Sequence, residues 1–530
     1  MELNCAYLVL GVVVAVCLGY LLTRRKNDYF QKKSIRSLSS GIFYSIVFKK
    51  KSVSDLVNMI YEKFPEDRVV GTFDPTGPQF MLLDPELIKT IVVKNFDHFA
   101  DRRPSFWNPN AKNPNTILNR TLFTLAGERW RNMRATLSPA FTGSKMRQMF
   151  QLVLECSLDM AQHYRQELAT VESKEYDIKD MFSRFTNDVI ATCAFGIKVN
   201  SLKDPNNDFY VNGKKMTHFH RFSVLLRMMA IIIFPRITDA LGVEIIDKEQ
   251  QDYLSALILD AIHERETKKI IRLDMIHLLM EARKGTLKNQ LEQEHNEAFA
   301  TVQESEVGQR MTNFQMTDVD MVAQCSIFFT AGFDTVSTCL TFLIYELTLN
   351  PEIQQRLYEE VLQTEQELDG RPLDYDTLQK MKYMDMCVSE SLRLWAPIPM
   401  VDRLCIRDYQ VDDRELNFVI DKGTSILIPI HALHRDARYF PDPEKFDPER
   451  FSEANKANIN LGAYIPFGTG PRNCIGSRFA LMEVKAIVYH MLLQFSFVRT
   501  ENTPVPMSLL RGLAAMGSER DVMIALKLRK

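Results

Sequence analysis

A single thiol stands in the most constrained loop of the chain. "PFGTGPRNCIG", residues 466–476, sets three glycines, two prolines and one arginine around Cys474. Nine cysteines are scattered along the chain and no two have C-x-x-C spacing, so neither a zinc ribbon nor a dithiol pair accounts for the loop. Gly468, Gly470 and Gly476 permit turns and close approaches that a Cβ would block, and Pro471 stiffens the turn before Arg472. The apolar run after Cys474 reads as a helix, whose free amides and dipole favour a thiolate at its N-terminus. A cation, a thiolate and an open backbone surface together suit a flat, anionic metallocofactor. For the loop alone, a buried structural cysteine beside a glycine turn is the alternative.

Three other blocks carry candidate chemistry. In "GERWRNMRATLSPAF", Trp130 and Arg134 share one helix face at i,i+4. In "FFTAGFDTVST", Ile327, Ala331 and Thr335 also step by four; as a plain core stripe, Thr335 would bond back to its own helix. In "ESLRLWAPIP", Glu390 and Arg393 form an i,i+3 pair that in isolation contributes about 0.2–0.5 kcal/mol. Arg450 follows in the proline-punctuated "FPDPEKFDPERF". His431 and His434 lack a third ligand at zinc spacing and read as structural.

These blocks need a large scaffold, and 530 residues at 46% hydrophobic and 25% charged supply one. A net charge of −2 gives no global field for nucleic acid. Helical periodicity runs near 126–170, 178–196, 248–284, 317–349 and 351–367, with strand-like pieces near 69–83 and 408–429. The helix from 317 opens on a T-x-x-D capping pattern and stops at Asn350-Pro351. The charged connection 284–316 reads as a surface loop. The expected fold is mainly α with small β-sheets, as one domain over 61–530. Before it, 27–60 reads as a basic, membrane-proximal linker. Residues 1–26 read as a transmembrane anchor, since Cys5–Leu22 is uncharged, "TRRK" follows, and a cleaved signal would place its basic residues first. The body then faces the reducing cytosol.

Taken together, the blocks resemble the cytochrome P450 superfamily. "FGTGPRNCIG" fits F-x-x-G-x-R-x-C-x-G at every fixed position, and the blocks follow in family order. The chain looks most like the insect microsomal type, family nine of clan three. The resemblance implies haem b, with Cys474 as its axial thiolate and Phe467 packed beside it. It assigns Arg472, Trp130, Arg134, Arg403 and Arg102 to the haem propionates. Glu390, Arg393 and Arg450 become a structural triad, and "AGFDT" makes Asp334 and Thr335 the acid–alcohol pair that delivers protons during oxygen activation. Substrate-pocket candidates are Ile327, Thr330, Ala331, Met400, Val401 and Leu513, with walls from 104–124, 218–236, 397–401 and 511–516, all rich in apolar residues.

The implied activity inserts one atom of O2 into lipophilic small molecules: xenobiotics such as plant toxins or insecticides, or endogenous lipids and hormones. Electrons from NADPH would arrive through NADPH–cytochrome P450 reductase on the endoplasmic reticulum membrane, with cytochrome b5 as an auxiliary donor. Arg131, Lys145, Arg147, Lys445 and Arg478 are candidate guides for an acidic donor. The family's proline-rich hinge after the anchor is missing, and "SIRSLSSGIF" stands in its place. Two alternatives share the haem: a reductase-independent isomerase or dehydratase, which the intact "AGFDT" disfavours, and a non-catalytic haem sensor.

Overall fold

The structure, a computed structural model, describes residues 28–38, 51–74, 77–104, 116–217, 222–287, 298–310, 314–512 and 515–529. The anchor expected over 1–26, and Leu513, lie outside the described residues.

Helices form where the apolar period of 3.6 placed them, at Gly127–Leu137, Gly143–Glu167, Ile178–Ile190, Lys248–Lys268, Met275–Arg283, Asp318–Leu349 and Pro351–Leu368. The long Asp318–Leu349 helix begins with the expected box: the Thr317 hydroxyl accepts from the Asp320 N–H, and the Asp320 carboxylate accepts from Thr317. It ends at Asn350, and Pro351 starts the next helix, where a missing N–H costs nothing. By length and hydropathy this helix could span a membrane. Its side chains are nevertheless mostly buried in protein on all sides, so it crosses the core. Gly332 admits the Ile178–Ile190 helix alongside; a Cβ there would meet the Ile190 Cδ1 at 3.0 Å.

The strands are β1 (Val69–Asp74), β2 (Gly77–Leu82), β3 (Ser173–Asp177), β4 (Val401–Leu404), β5 (Tyr409–Asp413), β6 (Leu416–Ile420), β7 (Ser425–Ile428), β8 (Phe495–Arg499) and β9 (Met523–Leu528). They make sheets ordered β1-β2-β7-β4, β3-β9-β8 and β5-β6. In the first sheet β2 and β7 are parallel and the outer pairs antiparallel, which sets Arg403 of β4 opposite Ile426. One apolar cluster fills the helical body and a second lies between this sheet and the N-terminal elements.

Two segments differ from expectation. Residues 28–38, read as linker, pack into the second cluster: Phe30 is fully buried against Phe73 and Phe80, and Lys33 pairs with Asp421. The stretch 298–310, read as surface loop, buries Ala298, Ala300 and Val307 and packs Phe299 against Phe451 and Tyr464. Its charges had masked a short apolar run.

Candidate active site

Cys474 precedes the helix Ser477–Gln494, which Gly476 caps. Its N–H donates to the Phe467 carbonyl at 2.9 Å, folding the loop back on itself, while Phe467 packs half-buried on the main core. Gly468 and Gly470 both have φ of +74°, and a Cβ on Gly470 would lie 2.3 Å from the Val92 carbonyl oxygen. That glycine therefore seats the loop on its neighbour. Cys474 keeps accessible surface although Asn473 before it and Ser477 after it are buried. Burial pushes its thiol up; the Gly476 N–H and the Arg134 and Arg102 guanidiniums pull it down, and burial wins. The helix end acts in the expected direction through the Gly476 N–H, but burial outweighs it. Coordination to a metal ion would make the thiolate, since a ligating thiol is deprotonated outright.

Beside the loop stand two buried arginines, Arg472 and Arg403, and the half-buried Arg102. Arg472 donates to the carbonyls of Ala100 (2.6 Å) and Leu125 (2.7 Å), and its guanidinium lies 4.2 Å from the centre of the Trp130 ring. Arg403 reaches the Asp402 and Thr469 carbonyls, and Arg102 reaches the Asp402 carboxylate at 3.5 Å. Burial, then repulsion from Arg102, holds Arg403 down to about 9 against the pull of Asp402. Burial, then repulsion from Arg102 and Arg403, holds Arg472 well below the arginine range. Arginines stay charged in proteins, so these shifts register chiefly the cost of burying two cations, with mutual repulsion adding to it. Among the described residues the Arg403 Nε has no partner, though Arg403 is 1% exposed. A rigid dianion fits this donor set, and the two carboxylates of a haem are one.

The Arg134 guanidinium, on the same side of the loop, donates to the Glu304 carboxylate and to Asn473.

The structure brings Glu390, Arg393 and Arg450 together. Arg393 Nε and Nη2 meet the two Glu390 oxygens at 2.7 and 2.8 Å, and Arg450 Nε approaches at 3.3 Å. Arg393 also donates to the carbonyls of His434 and Lys445, tying the Lys382–Leu394 helix to the proline-rich segment. His434 continues the chain. Its Nε2 accepts from the Ile465 N–H at 2.9 Å, which leaves Nδ1–H to donate to the Arg393 carbonyl. Burial and Arg393 push His434 down to about 3, so it is neutral and structural, as its spacing indicated.

A family profile described as Cytochrome P450 matches residues 41–523. The chain belongs to the cytochrome P450 family. It is 39% identical to cytochrome P450 9e2 of Blattella germanica, over 93% of this chain and 92% of that protein. It is 40% identical to the probable cytochrome P450 9f2 of Drosophila melanogaster, over 94% of each. Cytochrome P450 6k1 of Blattella germanica is 36% identical over 93% of this chain and 91% of its own. The chain is thus a haem-dependent P450 monooxygenase whose relatives are insect family 9 and family 6 proteins.

In this P450 the AGFDT segment lies on the long helix. Ile327, Ala331 and Thr335, on one face, keep surface within a helix that is otherwise mostly buried, and Thr330 is half-buried. Thr335 Oγ donates to the Ala331 carbonyl at 2.6 Å, the back-bond weighed from sequence. Asp334 is held by Lys179, whose Nζ lies 2.9 Å from Oδ1 and also donates to Ser337 and Thr338. Lys179 gave no sequence signal, because it acts across 155 residues. Met400 and Val401 pack half-buried at the first sheet, and the Met516 N–H donates to the Pro397 carbonyl, joining two of the expected pocket walls. Gln324 ties the segment around 120 to the long helix through Leu122 and Arg120. Of the candidate donor guides, Arg131 pairs with Asp97, Lys145 with Glu281, Arg147 with Asp376 and Lys445 with Asp447.

Proposed function

We propose that this P450 inserts one oxygen atom into lipophilic small molecules at a haem b bound by Cys474, Arg102, Arg403, Arg472 and Trp130. Electrons would come from NADPH through NADPH–cytochrome P450 reductase on the endoplasmic reticulum membrane, with cytochrome b5 auxiliary. The observation that supports the reading is the accessible lone thiol of Cys474 in a loop beside the buried guanidiniums of Arg472 and Arg403, the latter with an Nε that has no partner among the described residues. Bound haem iron supplies the dioxygen activation that no side chain can, aided by electron donation from its thiolate. The chain's residues do the rest. The arginines neutralise the carboxylate edge, and Trp130 keeps Arg472 flat against it. Asp334, partly solvated, can pass protons inward when it lets go of Lys179. The Thr335 hydroxyl, already donating to Ala331, turns its lone pairs outward to accept one.

The pocket segments are apolar, which favours lipophilic substrates. Ile237 and Leu241 are 57% and 69% exposed just after the apolar Phe222–Ile233 helix, which supports a face resting on the bilayer and receiving such molecules from it. The relatives' names specify no substrate, and plant toxins or insecticides stand as the class to test first. Reconstitution with the reductase, NADPH and isotopically labelled O2 should give products carrying one labelled atom. Product from a hydroperoxide alone and none with NADPH would identify an isomerase or dehydratase instead. NADPH consumption without product across a broad panel would point to a sensor.

A further inference from the structure

The segment 298–310 lies against the cysteine loop and brings one carboxylate to a position that the P450 signature does not assign. Both oxygens of Glu304 accept from Arg134 Nε at 3.2 Å, and Oε2 also accepts from Arg134 Nη2 at 2.7 Å and from the Ser138 hydroxyl at 2.8 Å. The same guanidinium donates to the Asn473 carbonyl at 2.9 Å and to Asn473 Oδ1 at 2.8 Å. Asn473 Nδ2 closes the ring by donating to the Gln303 carbonyl at 3.1 Å. Since Asn473 directly precedes Cys474, the ring grips the ligand-bearing strand from its N-terminal side. Gly308 makes the room: a Cβ there would lie 2.3 Å from Glu304 Cδ and Oε1, so any side chain must push the carboxylate off Arg134.

We infer that Glu304 is a positioning residue for the haem ligand. It aims Arg134 at Asn473, which fixes the cysteine loop, and it cancels the cation that would otherwise stand beside the Cys474 sulfur. Its electronic part rests on the haem-thiolate reading; its mechanical part does not. An ion pair of 3% and 21% exposed side chains is screened little by solvent, so removing one charge is felt nearby.

The test compares haem-loaded wild type, Glu304→Gln and Gly308→Ala by redox titration of the haem and by amide hydrogen exchange over 467–477. Loss of a negative charge favours the reduced iron. Glu304→Gln should therefore raise the midpoint by about a tenfold change in the reduction equilibrium, about 59 mV for one electron, and speed loop exchange about tenfold. Gly308→Ala keeps the charge but displaces it, so it should speed exchange with a smaller positive shift, and it carries the test if Glu304→Gln folds poorly. Unchanged loop exchange in the variants, or an unchanged midpoint, overturns the inference. A wild type without the thiolate-type carbon monoxide band would refute the haem-thiolate reading instead, and loop exchange would still decide the clamp.

Discussion

Glu390→Gln should cost this protein far more than its sequence spacing suggests. As an exposed i,i+3 helix pair, Glu390 and Arg393 would contribute about 0.2–0.5 kcal/mol. Here both side chains are 0% exposed. The carboxylate accepts from Arg393 Nε and Nη2, from Arg450 Nε, and from the Asp447 N–H at 2.9 Å. Glutamine keeps the shape and one acceptor but leaves the Arg393 cation buried without a counter-charge, a defect that costs about 3–5 kcal/mol. Against a typical net stability of about 5–15 kcal/mol, that is about a fifth or more of the total. Urea unfolding followed by tryptophan fluorescence, with haem content measured in parallel, should show the midpoint falling by about 1–2 M for a slope of about 3 kcal/mol/M. Replacing both charges, Glu390→Met with Arg393→Met, should cost less than Glu390→Gln alone, because no unpaired charge stays buried. Whatever Glu390→Gln protein does load haem should turn over at the wild-type rate per haem. A loss under 1 kcal/mol, or a double variant worse than the single, would refute the reasoning.

Thr335→Ala should retain the carbon monoxide spectrum of the wild type while diverting O2 to hydrogen peroxide, by about tenfold in the peroxide-to-product ratio; unchanged coupling removes Thr335 from proton delivery. Acid stability should report His434. Its folded value of about 3 lies below the unfolded 6.5, so its contribution is complete above pH 6.5 and is lost as pH falls toward 3, at up to about 1.4 kcal/mol per unit. Glu346 and Asp188, pushed by burial up to about 7 and 6, act in the opposite sense. The histidine term is therefore the difference between wild type and His434→Gln. That variant should show a shallower loss of stability between pH 6.5 and 4.5, and identical slopes would contradict the assignment.

What the sequence disclosed, and what it hid, follows from the range of each interaction. Thr317 and Asp320 are three residues apart and could be paired from spacing alone, as could Glu390 and Arg393. The glycines of the cysteine loop announced a constrained turn, but the Val92 carbonyl that excludes a side chain at Gly470 lies on a distant element. Glu304 and Lys179 were invisible because they meet Arg134 and Asp334 across 170 and 155 residues, where packing and not local pattern chooses the partner. Placement 298–310 was misjudged because its carboxylates outweighed "AFA" in composition. At the thiol, the helix end was legible and burial was not: a helix terminus is worth about 0.3–1 kcal/mol when exposed, and burial at Cys474 exceeds that.

The most direct test of the account is the spectrum of the reduced, carbon monoxide-bound protein with and without Cys474. Wild type should show the Soret band at the red-shifted, thiolate-type position, and Cys474→Ser should lose that band while Glu304→Gln keeps it. A band that persists in Cys474→Ser, or one absent from haem-loaded wild type, would contradict the assignment of Cys474 as the iron ligand.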